Sequence, residues 1–164
     1  MGGRYGGGIL SVLFVTFFLV IGDVSAICAA LPVPVRRTRY YGQSGKELAW
    51  EMFSLVHQEN PRLYWNSCLA RVASLRARRI MASGHFGHKD PLTGENPAWG
   101  MIRDNCFDFR EAGENLVKGS DNPEMLDRAL MHSPPHRQNI MDPNFELVGI
   151  GCFHEICVQE FASY

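Results

Sequence analysis

Ser133-Pro134-Pro135-His136-Arg137-Gln138-Asn139-Ile140 is the stretch around which the rest of the chain can be arranged. A serine suits a helix cap and a proline the first helical position, so Ser133 and Pro134 predict a short helix over 133–141, stopped before Pro143. His136 then falls in the first turn, where a rigid backbone meets solvent. That position suits a metal ligand or a catalytic group. Just upstream, Asn122-Pro123 opens another helix in which Met125, Leu126, Ala129 and Leu130 predict the buried face. Downstream, residues 146–152 and 156–161 read as a hairpin carrying Leu147, Val148, Ile150, Val158 and Phe161, with Gly149 and Gly151 placed to let another backbone approach.

Toward the amino end, residues 111–118 predict a short strand. Residues 85–103, with Asp90-Pro91 and Thr93-Gly94, read as a long, partly ordered loop. A helix over 67–83 carries Leu69, Val72, Leu75 and Ile80 on one stripe and ends at Gly84, with Arg71 and Arg78 pointing away. Arg76 and Arg79 fall inside that stripe, where they either snorkel outward or pair with carboxylates. Ser44 caps a first helix running to about residue 59, whose buried face is Leu48, Met52, Leu55 and Val56. Helices first, then mixed strands and helices, give an α+β class.

With 164 residues and 46% hydrophobic content, the chain is long enough for one domain with a real core. Its 16 basic and 17 acidic side chains supply no basic excess of the kind nucleic-acid binders use, so no nucleic-acid partner is expected. Arg4, an apolar run from Ile9 to Ile21 and Val24-Ser25-Ala26 form a secretory signal over residues 1–26, cut after Ala26. That run is shorter than the ~20 residues a membrane span needs, so no transmembrane segment is expected in the mature chain. Leu31-Pro32-Val33-Pro34 marks 27–43 as an extended arm or linker, which leaves 44–164 as the domain.

Secretion to an extracellular, oxidising compartment makes the cysteines disulfide candidates. Cys28 lies in the arm, and Cys68, Cys106, Cys152 and Cys157 allow three pairings. A turn at His154-Glu155 would place Cys152 opposite Cys157, within disulfide reach. Cys68 with Cys106 would then close a loop of roughly 39 residues.

The motifs together resemble the CAP superfamily of cysteine-rich secretory proteins, antigen 5 and pathogenesis-related proteins (the SCP domain). The likeness covers about residues 47–161. It rests on Leu63-Tyr64-Trp65-Asn66, on residues 81–88 with Asp90-Pro91, on Ala112-Gly113-Glu114-Asn115-Leu116, on 133–140, and on Val148-Gly149-Ile150-Gly151. Ser-Pro-Pro-His-Arg with Gly-Glu-Asn is closest to bacterial SCP-like extracellular proteins. The resemblance implies an α-β-α sandwich, an antiparallel sheet between helical layers. It also implies a cleft in which His88, Glu114 and His136 match the family's two histidines and one acid, sometimes holding zinc or another divalent cation. The family's second glutamate has no matching residue; Glu124 lies too early on its helix, and Leu130 stands where a tryptophan is usual.

Gly94-Glu95-Asn96 repeats the Gly-Glu-Asn tripeptide, but Pro97 follows it and Glu95 reads as exposed loop. His85 reads as structural, and His57, His132 and His154 as surface or satisfied histidines. His88, Glu114 and His136 therefore form either a metal site or a hydrogen-bonded network joining loop, strand and helix. The chain carries no nucleophile elbow, zinc-protease helix or phosphate loop. The favoured function is an extracellular binding module for a divalent metal and a lipid or sterol, peptide or glycan. A histidine- or metal-dependent hydrolase is the alternative, and an adhesion or defence protein with a vestigial cleft is the second.

Overall fold

The computed structural model describes residues 44–164; the expected signal peptide, the expected arm and Cys28 lie outside the described residues. Helix α1, Gly45–Glu59, starts at a reciprocal cap: the Ser44 hydroxyl accepts from the Glu47 amide, and the Glu47 carboxylate accepts from the Ser44 amide. Strand β1, Tyr64–Trp65, leads into α2, Ser67–Ser83. There the Asn66 side chain caps the amides of Cys68 and Leu69, and Gly84, at φ 69°, closes the helix in the left-handed conformation.

The segment expected to be loop over 85–103 is loop only as far as Asn96, where α3, Pro97–Asn105, begins. Asn96-Pro97 is the same start signal as Asn122-Pro123: the Asn96 side-chain oxygen accepts from the Ala98 amide. The helix buries only Ala98, Met101 and Ile102, too short an apolar pattern to stand out against the surrounding glycines and prolines.

Strand β2, Glu111–Lys118, is followed by α4, Pro123–Met131, α5, Pro134–Met141, and the hairpin β3, Leu147–Phe153, with β4, Ile156–Ser163. The four strands lie in the order β1-β3-β4-β2, with β1 parallel to β3 and the other pairs antiparallel. Helices α2 and α3 cover one face. Helices α1, α4 and α5 pack on the other, around Met52, Leu126, Ile140, Val148 and Phe161. This is the α-β-α sandwich expected from the resemblance, its sheet antiparallel except where the two-residue β1 runs parallel to β3.

Two buried faces turn relative to the sequence reading. Met125 on α4 is 59% exposed and Ala129 is also exposed, while Pro123, Leu126, Asp127 and Leu130 face inward. Leu75 on α2 is 52% exposed, and Arg76 occupies the buried position beside it. Ser133 begins α5 without a side-chain cap bond. The close approach anticipated for Gly149 and Gly151 is made by α2. A Cβ on Gly149 would fall on the Ala70 nitrogen and the Leu69 carbonyl carbon, and one on Gly151 would fall on the Ser74 nitrogen.

Both expected disulfides form. Cys152 and Cys157 face each other across the hairpin with Cα atoms 4.1 Å apart. Cys68 joins the start of α2 to Cys106 at the end of α3, with Cα atoms 5.7 Å apart. Among the described residues no helix is long and apolar enough to cross a membrane.

Asp127 on α4 is buried, and one of its oxygens has no hydrogen-bond partner among the described residues. Burial, then the charge of Glu59, push its carboxyl up to about 6. A folded-state value above the unfolded one means that its contribution is present at acid pH and is lost as pH rises from 3.8 through about 6. Asp127→Asn is therefore expected to be about 1 kcal/mol more stable than the wild type at neutral pH and no more stable in acid, allowing for partial solvation of the carboxyl. Urea unfolding across that range checks the crossover.

Candidate functional site

The site is assembled around one buried carboxylate. Glu114 on β2 lies opposite Glu160 on β4, on the sheet face that α2 covers. Its side chain is 1% exposed, and an isolated charge there would carry a large desolvation cost. Arg76 answers it from α2: Nε donates to Glu114 Oε2 at 2.9 Å. The same guanidinium donates through Nη2 to the carbonyls of Gly87, at 2.7 Å, and His88, at 3.3 Å. Of the two options the sequence leaves for Arg76, pairing is the one taken, and the pair also fastens the histidine loop to the strand. Arg79 is exposed and reaches the Met101 sulfur.

The other Glu114 oxygen receives two groups. Asn96 Nδ2 donates to Oε1 at 3.1 Å, and His88 Nδ1 lies 2.9 Å from it. The Asn96 orientation is fixed by its own capping bond, which uses Oδ1. An acceptor carboxylate requires the proton of His88 on Nδ1, leaving the Nε2 lone pair free. His88 itself is half exposed.

His136 is positioned from the opposite side of the sheet edge. Asn115 Nδ2 donates to the His136 carbonyl at 3.0 Å and to Gln159 Oε1 at 2.9 Å, while Asn139 Nδ2 donates to Asn115 Oδ1 at 2.8 Å. This amide chain pins α5 against β2. The His88 and His136 rings stand 6.4 Å apart between centroids. Burial, then the neighbouring His88, hold the His136 imidazole below its ordinary value, so it is neutral at neutral pH.

Loop, strand and helix thus bring His88, Glu114 and His136 together. Among the described residues, however, no set of His, Cys, Asp and Glu side chains converges as a ready-made metal cage. The remaining histidines have other roles: His85 Nε2 bonds the Lys89 carbonyl, His57 Nδ1 that of Leu63, and His132 Nδ1 that of Arg128. His154 forms the hairpin turn at φ 51°. Glu95 is exposed, and Glu124 is exposed in the first turn of α4.

Asn96 and Glu160 are site residues that the sequence reading passes over. Glu160 is fully buried, directly across the strand pair from Glu114. Burial, then the charge of Glu114 and the close approach of the two carboxyl groups, raise its carboxyl well above the usual glutamate range, against a smaller lowering by Arg76. Arg76 pairs with Glu114 and not with Glu160. Strand period offers a signal for it, because position 160 falls on the same inward face as Ile156 and Val158.

Beside His88 and Glu114 opens a cleft of about 560 Å³, walled on its far side by Trp99, Gly100 and Arg103 of α3.

The profile of the cysteine-rich secretory protein family, CAP, matches residues 57–157. The uncharacterized protein YkwD of Bacillus subtilis is 32% identical over 83 residues, which are 51% of this chain and 32% of that protein. The chain thus aligns with about a third of that relative's length. Among solved structures, an extracellular SCP-domain protein from Bacillus anthracis superposes with a TM-score of 0.67 at 21% identity, over 73% of this chain and 41% of that one. An outer surface protein of Borrelia burgdorferi superposes with a TM-score of 0.65 at 19% identity, over 74% and 96% of the two chains. At these identities the structural likeness speaks for the fold. Taken with the profile match, it shows that the chain belongs to the cysteine-rich secretory protein (CAP) family.

Proposed function

We propose that the domain is a secreted binding module. In this reading the cleft beside His88 takes a small ligand, and the His88–His136 pair takes a divalent transition ion, zinc being the best chemical match. The carrying observation is the use of the Glu114 oxygens: Oε2 accepts from Arg76, and Oε1 accepts from Asn96 and meets His88 Nδ1. That arrangement suits a group that orients an imidazole and raises its basicity more than it suits a direct ligand. Two neutral imidazoles are suitable donors. On one tetrahedral zinc their ring centroids would come to roughly 5 Å, and the 6.4 Å separation closes with a small movement of the half-exposed His88. Secretion is supported by the amino-terminal sequence, by the disulfides, and by relatives described as an extracellular and an outer surface protein.

Calorimetric titration with zinc at neutral pH tests the metal part. The wild type is expected to bind, His88→Ala and His136→Ala each to abolish binding, and Glu114→Gln to weaken it about 10- to 100-fold. Affinity should fall as pH drops below ~6.5, where imidazoles take up protons. No binding by the wild type would leave these side chains as a structural network.

A further inference from the structure

The cleft wall facing His88 is one complete face of α3. Asn96, Trp99, Gly100 and Arg103 recur at helical spacing and all line the cleft, while Ala98, Met101 and Ile102 turn into the core. No atom lies within 4 Å of where a Gly100 Cβ would stand, so the wall is recessed at that point. Phe109 braces both functional side chains. The Trp99 ring meets it edge to face at 6.2 Å, and the Arg103 guanidinium lies 4.5 Å above its centroid. Arg103 is therefore a cation held in place beside a half-buried aromatic plane.

The charges at the mouth are Lys89, Arg103 and Glu95, since Glu114 is already balanced by Arg76. The excess is positive and favours an anionic ligand. The loop forming the rim keeps its amides to itself. Leu92 and Thr93 donate to the Asp90 carboxylate, Gly94 donates to the Asp90 carbonyl, and Glu95 donates to the Thr93 hydroxyl. These amides are not free to pair with an extended peptide as a strand, so recognition falls to side chains.

We infer that the α3 wall is a subsite for a carboxylate-bearing saccharide, with Trp99 stacked on the apolar face of a sugar ring and Arg103 and Lys89 holding its carboxylate. The inference rests on the reading of this cleft as a ligand site and adds the class of ligand. Arg103 supplies a planar fork for the carboxylate, and Lys89 supplies a mobile point charge. The cleft volume of about 560 Å³ falls in the range of small-molecule sites.

The test is a calorimetric titration of the intact protein with a tetrasaccharide alternating glucuronic acid and N-acetylglucosamine. The same tetrasaccharide with its carboxylates reduced to alcohols and a glutamate-rich peptide serve as comparisons. The acidic saccharide is expected to bind at least about tenfold more tightly than either comparison, the loss of one charge-assisted hydrogen bond being of that size. Arg103→Ala should lose about the same factor and Arg103→Lys should recover part of it. Trp99→Ala, checked for folding by circular dichroism, should lose at least as much as Arg103→Ala. Equal binding of the reduced saccharide, or of the peptide, with sensitivity to Trp99→Ala, would keep the cleft as a ligand site and overturn the carboxylate assignment. Absence of binding by the acidic saccharide, or binding unchanged in Trp99→Ala and Arg103→Ala, would overturn the subsite, and the zinc titration would still decide the histidine pair separately.

Discussion

Replacing Arg76 with alanine is expected to cost about 3–5 kcal/mol of folding stability, the range found when one partner of a buried ion pair is removed. Glu114 would then keep a carboxylate that is 1% exposed, with no cation against it and a second buried acid, Glu160, opposite. The bonds from the guanidinium to the Gly87 and His88 carbonyls would also disappear, and with them a tie between the histidine loop and α2. Arg76→Ala combined with Glu114→Gln should recover a good part of the loss, because the orphaned charge is gone. Urea unfolding of the single and double variants measures both. A loss under about 1 kcal/mol for the single variant would mean that the pair adds little and that packing alone holds the loop.

The second large effect is expected at the Cys68–Cys106 bridge. Its partners are 38 positions apart, and the enclosed segment contains α2, the histidine loop and α3. On the chain-entropy view, closing a loop of that length contributes on the order of 4 kcal/mol. The Cys152–Cys157 bridge spans a separation of 5 within a hairpin that also has a backbone ladder, and should contribute only about 2 kcal/mol. Paired serine substitutions, compared by thermal and denaturant unfolding, should show the larger loss for Cys68 and Cys106. The reverse order would contradict the view that the bridge acts by restraining the unfolded chain.

Most of the architecture is legible wherever a local signal coincides with a tertiary one. Ser44, Gly84 and Asn122-Pro123 all mark helix ends where they are found, because capping chemistry is local. The hairpin register follows from a two-residue turn and the cysteine pair. Helix α3 is missed because its apolar face is short and its Asn-Pro start sits among loop formers. The outward turn of Leu75 and Met125 has a different cause: the periodicity fixes a stripe, while the neighbouring layer decides which edge of it is covered. Arg76 belongs to the covered edge only because β2 presents Glu114 to it, a partner 38 positions away. For the same reason Asn96 and Glu160 carry no motif; the sheet register and the loop bring them to Glu114.

The claim on which the site depends is that Glu114 holds His88 with its proton on Nδ1 and Nε2 free. Long-range nitrogen–proton correlation spectra of the labelled protein at mildly alkaline pH report the tautomer of each imidazole directly. The expected result is the Nδ1-protonated form for His88 in the wild type, with the Nε2 resonance moving when zinc is added. An Nε2-protonated His88 in the folded wild type would contradict the account, because the imidazole would then present no proton to Glu114 and no lone pair to the cleft.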